Sequence, residues 1–173
     1  MASQTILPKL DAPTQARIKL LHPNVRDEVA KLIIEANAKL PSNVQIRIVQ
    51  GLRTIAEQNA LYAQGRNGDK RPKVTNAKGG SSIHNYGLAI DFCLLIDNKE
   101  ISWDTSKDRD KDGQADWLEV VTTFLRAGWA WGGNWRTFKD LPHLEKPFGH
   151  TWRTLLAKHN KKDFIAGTQY VKI

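Results

Sequence analysis

Residues 82–96 read Ser82-Ile83-His84-Asn85-Tyr86-Gly87-Leu88-Ala89-Ile90-Asp91-Phe92-Cys93-Leu94-Leu95-Ile96. From Leu88 the run is apolar and stops at the turn residues Asp97-Asn98, the pattern of a buried strand. Side chains alternate along a strand, so Leu88, Ile90, Phe92 and Leu94 share one face while Ala89, Asp91 and Cys93 share the other. A carboxylate set into so apolar a strand needs a partner, because burying it unpaired is costly. In an unbroken strand His84 and Asp91 would point to opposite faces, so they converge only if the chain bends between them, and Gly87 is where a bend costs least. The alternative is a loop histidine beside an aspartate that is ion-paired to one of the 26 basic residues.

Working outward, a helix is expected from Asn24 as N-cap, with Val25, Val29, Leu32, Ile33, Ala36 and Leu40 on one face. Val44, Ile46 and Ile48 alternate with Gln45 and Arg47, as in a half-buried strand. Thr54-Ile55-Ala56-Glu57 is a capping box that opens a helix running to Gln64, and residues 65–82 form a long basic loop. Beyond the central strand come a helix from Gln114 to Arg126, a Trp- and Gly-rich segment Gly128–Trp135, a strand entered at Pro142–Leu144 and a helix over Thr151–His159. Mixed strands and helices in this order favour an α+β domain over a parallel βαβ array. With 173 residues, one domain is expected over 1–173, with a loosely structured lead-in at 1–22, a core at about 23–160 and no separate binding domain.

Hydrophobic residues at 40% and charged residues at 25% exclude collagen-like and broadly disordered classes. The net charge of +8 favours an anionic partner. No RNP-like, zinc-finger or helix-turn-helix signature accompanies it, so nucleic acid is not expected. Cys93 is the only cysteine, which excludes an intramolecular disulfide and leaves His and carboxylates as the metal donors; it reads as a core thiol. The first residues hold no apolar core of signal-peptide length and no window approaches a membrane span, so synthesis in a cytoplasm without membrane insertion is expected.

A catalytic zinc site uses about three His or carboxylate ligands and keeps a position open. In Asp140-Leu141-Pro142-His143-Leu144-Glu145, His143 could complete a set with His84 and Asp91, with Asp140 close enough to take a proton from the attacking water. Glu145 shares the His143 side of a strand and would accept its ring N–H.

Ser82-Ile83-His84-Asn85-Tyr86-Gly87-Leu88-Ala89-Ile90-Asp91 followed by Asp140-Leu141-Pro142-His143 resembles the S-x-H-x-x-G-x-A-x-D … [D/E]-x-x-H signature of VanY/VanX-like zinc peptidases. These include D-alanyl-D-alanine carboxypeptidases and the L-alanyl-D-glutamate endopeptidases of phage endolysins. The likeness takes in Gly51-Leu52-Arg53-Thr54 with Gln58, and Trp131-Gly132-Gly133-Asn134-Trp135, and so covers residues 44–150. It implies a small antiparallel sheet flanked by helices, the DD-peptidase (Hedgehog-like) zinc peptidase fold. It also implies His84, Asp91 and His143 as zinc ligands, Asp140 as general base, Arg53 as a catalytic group that binds or polarises substrate, and Ser82 as a support or peptide contact. Many members carry Glu where this chain has Asp140. The expected activity is hydrolysis of peptidoglycan stem peptides, with L-alanyl-D-glutamate endopeptidase ahead of D-alanyl-D-alanine carboxypeptidase or dipeptidase and of a non-catalytic wall-binding module. The partner would be bacterial peptidoglycan, reached after release from the cell by an enzyme that need be no more than a monomer.

Two further features stand out. Trp131 and Trp135, flanked by glycines, and Gln58 are candidate substrate contacts, whereas Trp129 reads as core. Asp108-Arg109-Asp110-Lys111-Asp112-Gly113-Gln114-Ala115-Asp116-Trp117-Leu118-Glu119 fits the twelve-residue calcium loop, with Asp108, Asp110, Asp112, Gln114 and Glu119 as candidate Ca2+ ligands; a solvated acidic turn capping the next helix is the alternative.

Overall fold

The computed structural model describes residues 10–173. The central strand β2 (Ala89–Ile96) pairs antiparallel with β1 (Val44–Gln50) in a register that sets Val44 against Ile96 and Arg47 against Cys93. Its other edge is shared end to end. β3 (Glu100–Ser102) takes Leu94 to Ile96, and β5 (His143–Glu145) takes Ala89 to Asp91, with β4 (Ala130–Trp131) outside β5. Among the described residues this is one mixed-length antiparallel sheet with helices packed against it, the α+β arrangement the sequence implies.

The helices follow from local chemistry. α2 (Pro23–Asn37) buries Val25, Val29, Leu32, Ile33 and Ala36, and α4 (Asp116–Arg126) buries Trp117, Val120, Val121 and Phe124. Both stripes join Val44, Ile46, Ile48, Leu88, Ile90, Phe92, Leu94 and Leu144 in one core, where the Phe92 and Trp117 rings lie 4.4 Å apart. Trp129 belongs to that core, as expected, and its indole N–H donates to Glu28. α3 (Ile55–Ala63) is opened by the expected Thr54/Glu57 capping box, and α5 (Trp152–Asn160) by Thr151. Cys93 is buried, and burial pushes its thiol up to about 11.

Several boundaries differ from expectation. Residues 1–9 of the expected lead-in lie outside the described residues, but the rest is not loose. α1 (Ala12–Lys19) is capped by Asp11, and Thr14 Oγ1 accepts the Ile48 N–H at 3.1 Å, closing part of the free edge of β1. Only Thr14 and Ile18 of this helix are buried, too few to mark a 3.6-residue period. α2 begins two residues earlier than expected: His22, not Asn24, is the N-cap, with Pro23 in the first turn where its missing N–H is harmless. α4 begins at Asp116, because Gln114 belongs to the preceding loop. The Asp97-Asn98 turn, both residues at positive φ, leads into β3, a strand too short to show a period.

His22 carries a pH dependence. Its Nδ1 accepts the Asn24 N–H at 3.2 Å and its Nε2 meets the Val171 carbonyl at 2.8 Å, a pairing that only the neutral Nε2–H tautomer satisfies. Burial, with a smaller push from Arg26, lowers its pKa below the ordinary 6.5 despite the Val171 bond. A His held neutral contributes stability that is present above 6.5 and is lost as pH falls through its lowered folded value. Urea unfolding across this acid range is expected to show that loss in the wild type and a shallower one in His22→Gln.

Candidate metal centre and cleft

Gly87 turns the chain between the two halves of the first motif. It sits at φ +70°, and a Cβ there would lie 2.7 Å from the His22 backbone nitrogen. The 3-10 turn Ile83–Tyr86 ends on it, so His84 swings back over the start of β2. His84 Nε2 then lies 3.2 Å from Asp91 Oδ1, and His143, directly across from Asp91 on β5, brings Nδ1 to 3.1 Å from the same oxygen. The two imidazoles cross at 75° with centroids 4.9 Å apart. His84, Asp91 and His143 each offer a donor atom within 4.8 Å of the others.

The far side of each ring is anchored. His84 Nδ1 meets the Gly51 carbonyl at 2.8 Å, and a carbonyl can only accept, so Nδ1 carries a proton and Nε2 is the nitrogen turned to Asp91. His143 Nε2 meets Glu145 Oε2 at 2.9 Å, the expected carboxylate brace. Burial alone would raise the Asp91 pKa, but hydrogen bonds from His143 and His84 outweigh it and hold the carboxylate well below its ordinary range. Burial opposes charge on His143 too, yet Asp91 and Glu145 push its pKa up to about 9. Two buried imidazoles and one ionised carboxylate converging at the wall of an open cleft match the donor set of a three-ligand transition-metal site.

Asp140 stands beside this trio. Its backbone N–H donates to the Gly132 carbonyl and its own carbonyl accepts the His143 N–H, so the Asp140-to-His143 turn is fixed against Gly132. A Cβ on Gly132 would lie 2.4 Å from the Asp140 carbonyl oxygen and 3.1 Å from His143 Cβ. Burial, and next the charge on Asp91, raises the Asp140 pKa against the opposing pull of His143, His84 and Arg53. Arg53 Nη2 lies 3.9 Å from Asp91 Oδ2.

These groups open onto a cleft of about 710 Å³, lined also by Ser82, Trp135 and the start of α5, Trp152 and Arg153. The Trp135 ring sits 5.0 Å from His143. Lys73, Val74, Phe138 and Lys139 extend the cleft beyond Asp140. The basic loop contributes less charge than its composition suggests. Arg66 stacks on Tyr62 and donates to the Thr75 carbonyl, and Arg71 pairs with Asp69.

Two expected substrate contacts are corrected. Gln58 is fully buried: its oxygen accepts from Arg53 Nη1 at 2.9 Å and its nitrogen donates to the Ala77 carbonyl at 2.8 Å, so it holds Arg53 and does not face the cleft. Trp131 donates to the Leu141 carbonyl at 2.7 Å with its ring over Gly133, bracing the Asp140 segment from behind. Trp152 and Arg153 went unmarked, since no spacing in the sequence ties the α5 N-terminus to the motifs. The candidate calcium residues lie outside the cleft, Asp108, Asp110, Asp112 and Gln114 in the loop between β3 and α4 and Glu119 in the first turn of α4.

Residues 75–146 match a peptidase M15 family model described as D-alanyl-D-alanine carboxypeptidase. A relative 43% identical over 143 residues spans 83% of this chain and 80% of its own length, and the chain belongs to this peptidase family. That relative is the peptidoglycan L-alanyl-D-glutamate endopeptidase CwlK of Bacillus subtilis (strain 168). The fold is similar to that of the L-Ala D-Glu endopeptidase ChiX of Serratia marcescens, with a TM-score of 0.52 and 23% identity over 84% of this chain and 94% of that one.

Proposed function

We propose that the chain is a zinc-dependent peptidoglycan peptidase that hydrolyses the L-alanyl-D-glutamate bond of stem peptides. The observation that carries the reading is the convergence of His84, Asp91 and His143 within 4.8 Å beside Asp140 in the open cleft. Kinship with the Bacillus endopeptidase supports the choice of bond.

His84 through Nε2, Asp91, and His143 through Nδ1 would hold the zinc ion. Bound there, zinc supplies Lewis-acid activation of the scissile carbonyl and of the attacking water. Asp140, whose raised pKa makes it a better proton acceptor than an exposed aspartate, takes a proton from that water and passes it to the leaving amine. Arg53, held by Gln58, presents a fixed cation to negative charge developing on the substrate. Trp135 offers a flat wall against the peptide, and the net charge of +8 draws the protein to acidic wall polymers.

The test is mass spectrometry of purified peptidoglycan treated with wild type, with chelator-stripped protein and with stripped protein given back zinc. A new amino terminus on D-glutamate, lost on stripping and restored by zinc, is the expected result. Release of terminal D-alanine would make the enzyme a carboxypeptidase, and the absence of any metal-dependent product would overturn the peptidase reading.

Gly132 gives a second check. Gly132→Ala must push the Asp140 carbonyl or the His143 backbone aside, and a shift approaching 1 Å costs about 100-fold in rate. We expect kcat/KM to fall by about that factor while circular dichroism stays native.

A further inference from the structure

Outside the cleft, the least comfortable group in the described residues is Glu119. The residue is only 7% exposed and its Oε2 has no hydrogen-bond partner. It lies in the first turn of α4, one turn on from Asp116 and so on the same side of the helix. Asp116 in turn brings a carboxylate oxygen within 4.8 Å of those of Asp108 and Asp110. Burial, and then the charges of Asp112, Asp110 and Asp116, push the Glu119 pKa up to about 7. The cation that offsets this, Lys39, is already engaged by Glu35 and by Thr123 Oγ1. A buried carboxylate oxygen without a partner, within the field of further carboxylates, is costly unless a cation joins them.

The chain's order supplies the rest of a coordination shell. Asp108, Asp110, Asp112 and Glu119 stand at positions 1, 3, 5 and 12 of a twelve-residue loop, with Gly113 at position 6 and at φ +97°. Gln114 at position 7 offers its backbone carbonyl. Asp116 at position 9 is taken by Arg109, whose guanidinium lies 2.5 Å away, which suits the position that such loops often fill through water. We infer that residues 108–119 bind one calcium ion through the carboxylates of Asp108, Asp110, Asp112 and Glu119 and the Gln114 carbonyl. The ion gives the stranded Glu119 oxygen its partner and ties the loop to the first turn of α4. That turn carries Trp117, whose indole N–H donates to the Leu141 carbonyl, between Asp140 and His143. Calcium thus steadies the segment that ends on the proposed zinc ligand. The binding itself does not rest on the peptidase reading.

The experiment is calcium titration of the full chain, followed by calorimetry and by melting temperature, on wild type, Glu119→Gln, Asp112→Asn and a His84→Ala/His143→Ala variant. We expect wild type to take up one calcium ion with Kd between about 10⁻⁷ and 10⁻³ M. At a calcium concentration about a hundred times Kd, melting should rise by roughly 5–10 °C. Glu119→Gln and Asp112→Asn should each weaken binding by at least about tenfold, and Glu119→Gln should melt no lower than wild type in chelator, since it relieves repulsion. The double histidine variant should bind calcium as wild type does. No uptake by wild type at about 10 mM, uptake unchanged in both loop variants, or uptake lost with the histidines would each overturn the inference. A failed peptidoglycan digestion would leave these calcium results intact, so the two readings fail separately.

Discussion

Replacing Asp140 by Asn is expected to lower kcat/KM for stem-peptide cleavage by about 10²–10⁴-fold, the usual worth of a positioned general base, while zinc content stays at one ion per chain. Asparagine keeps the shape and the backbone bonds that fix residue 140 to Gly132 and His143, but it cannot accept the proton. The trio His84, Asp91 and His143 is untouched, so binding and catalysis separate. Asp140→Glu retains the chemistry at one methylene's displacement and should lie well above the Asn variant. Activity of Asp140→Asn within about threefold of wild type would remove this residue from the mechanism.

Asp91→Asn is expected to act on the ion itself. Asp91 Oδ1 stands between both imidazoles while Oδ2 faces Arg53, so the substitution removes the only carboxylate of the trio and leaves the Arg53 charge without its counterpart. Changes to groups that merely brace a ligand already cost 10–100-fold in metal affinity, so loss of a ligand should exceed about 100-fold. The metal-free protein should also lose about 3 kcal/mol, because breaking one side of a largely buried charge pair strands the other. The sign with pH is fixed by the lowered pKa of Asp91: its contribution is present above the ordinary 3.8 and disappears as pH falls through the lower folded value. Metal analysis of the purified variant and urea unfolding in chelator check the two halves, and a full complement of tightly held zinc in Asp91→Asn would exclude Asp91 as a ligand.

The parts of this fold that were legible in the sequence are those whose burial is periodic. Five positions of α2 face the core in helical order, β1 alternates, and β2 is apolar up to its turn, so each element announces itself. α1 stayed hidden because its anchors are a hydroxyl on a strand edge and one isoleucine, and β3 and β4, of three and two residues, are too short to repeat the two-residue alternation of a strand. The site was legible where two motifs meet across a strand pair, and the Asp91–His143 register made that pairing. It was not legible at Gln58, since only the tertiary structure shows that a polar side chain is buried and spent on Arg53. Nor could composition tell Trp135, which lines the cleft, from Trp131, which turns its indole N–H to a backbone carbonyl behind it.

The spacing of the trio bears on how the protein is made. His84 and Asp91 lie 7 residues apart across one turn, whereas His143 reaches Asp91 over 52 residues and only when β5 docks on β2. Contacts of such separation form late, after the local ones. On the proposed ligand set, a chain still emerging from the ribosome holds two donors and too few to retain an ion, so loading waits for the finished sheet. In the finished sheet without metal, Asp91 and Glu145 hold a proton on His143 up to about pH 9, and an arriving ion would have to displace it. Metal content in a purified batch therefore reports how many molecules completed their last strand.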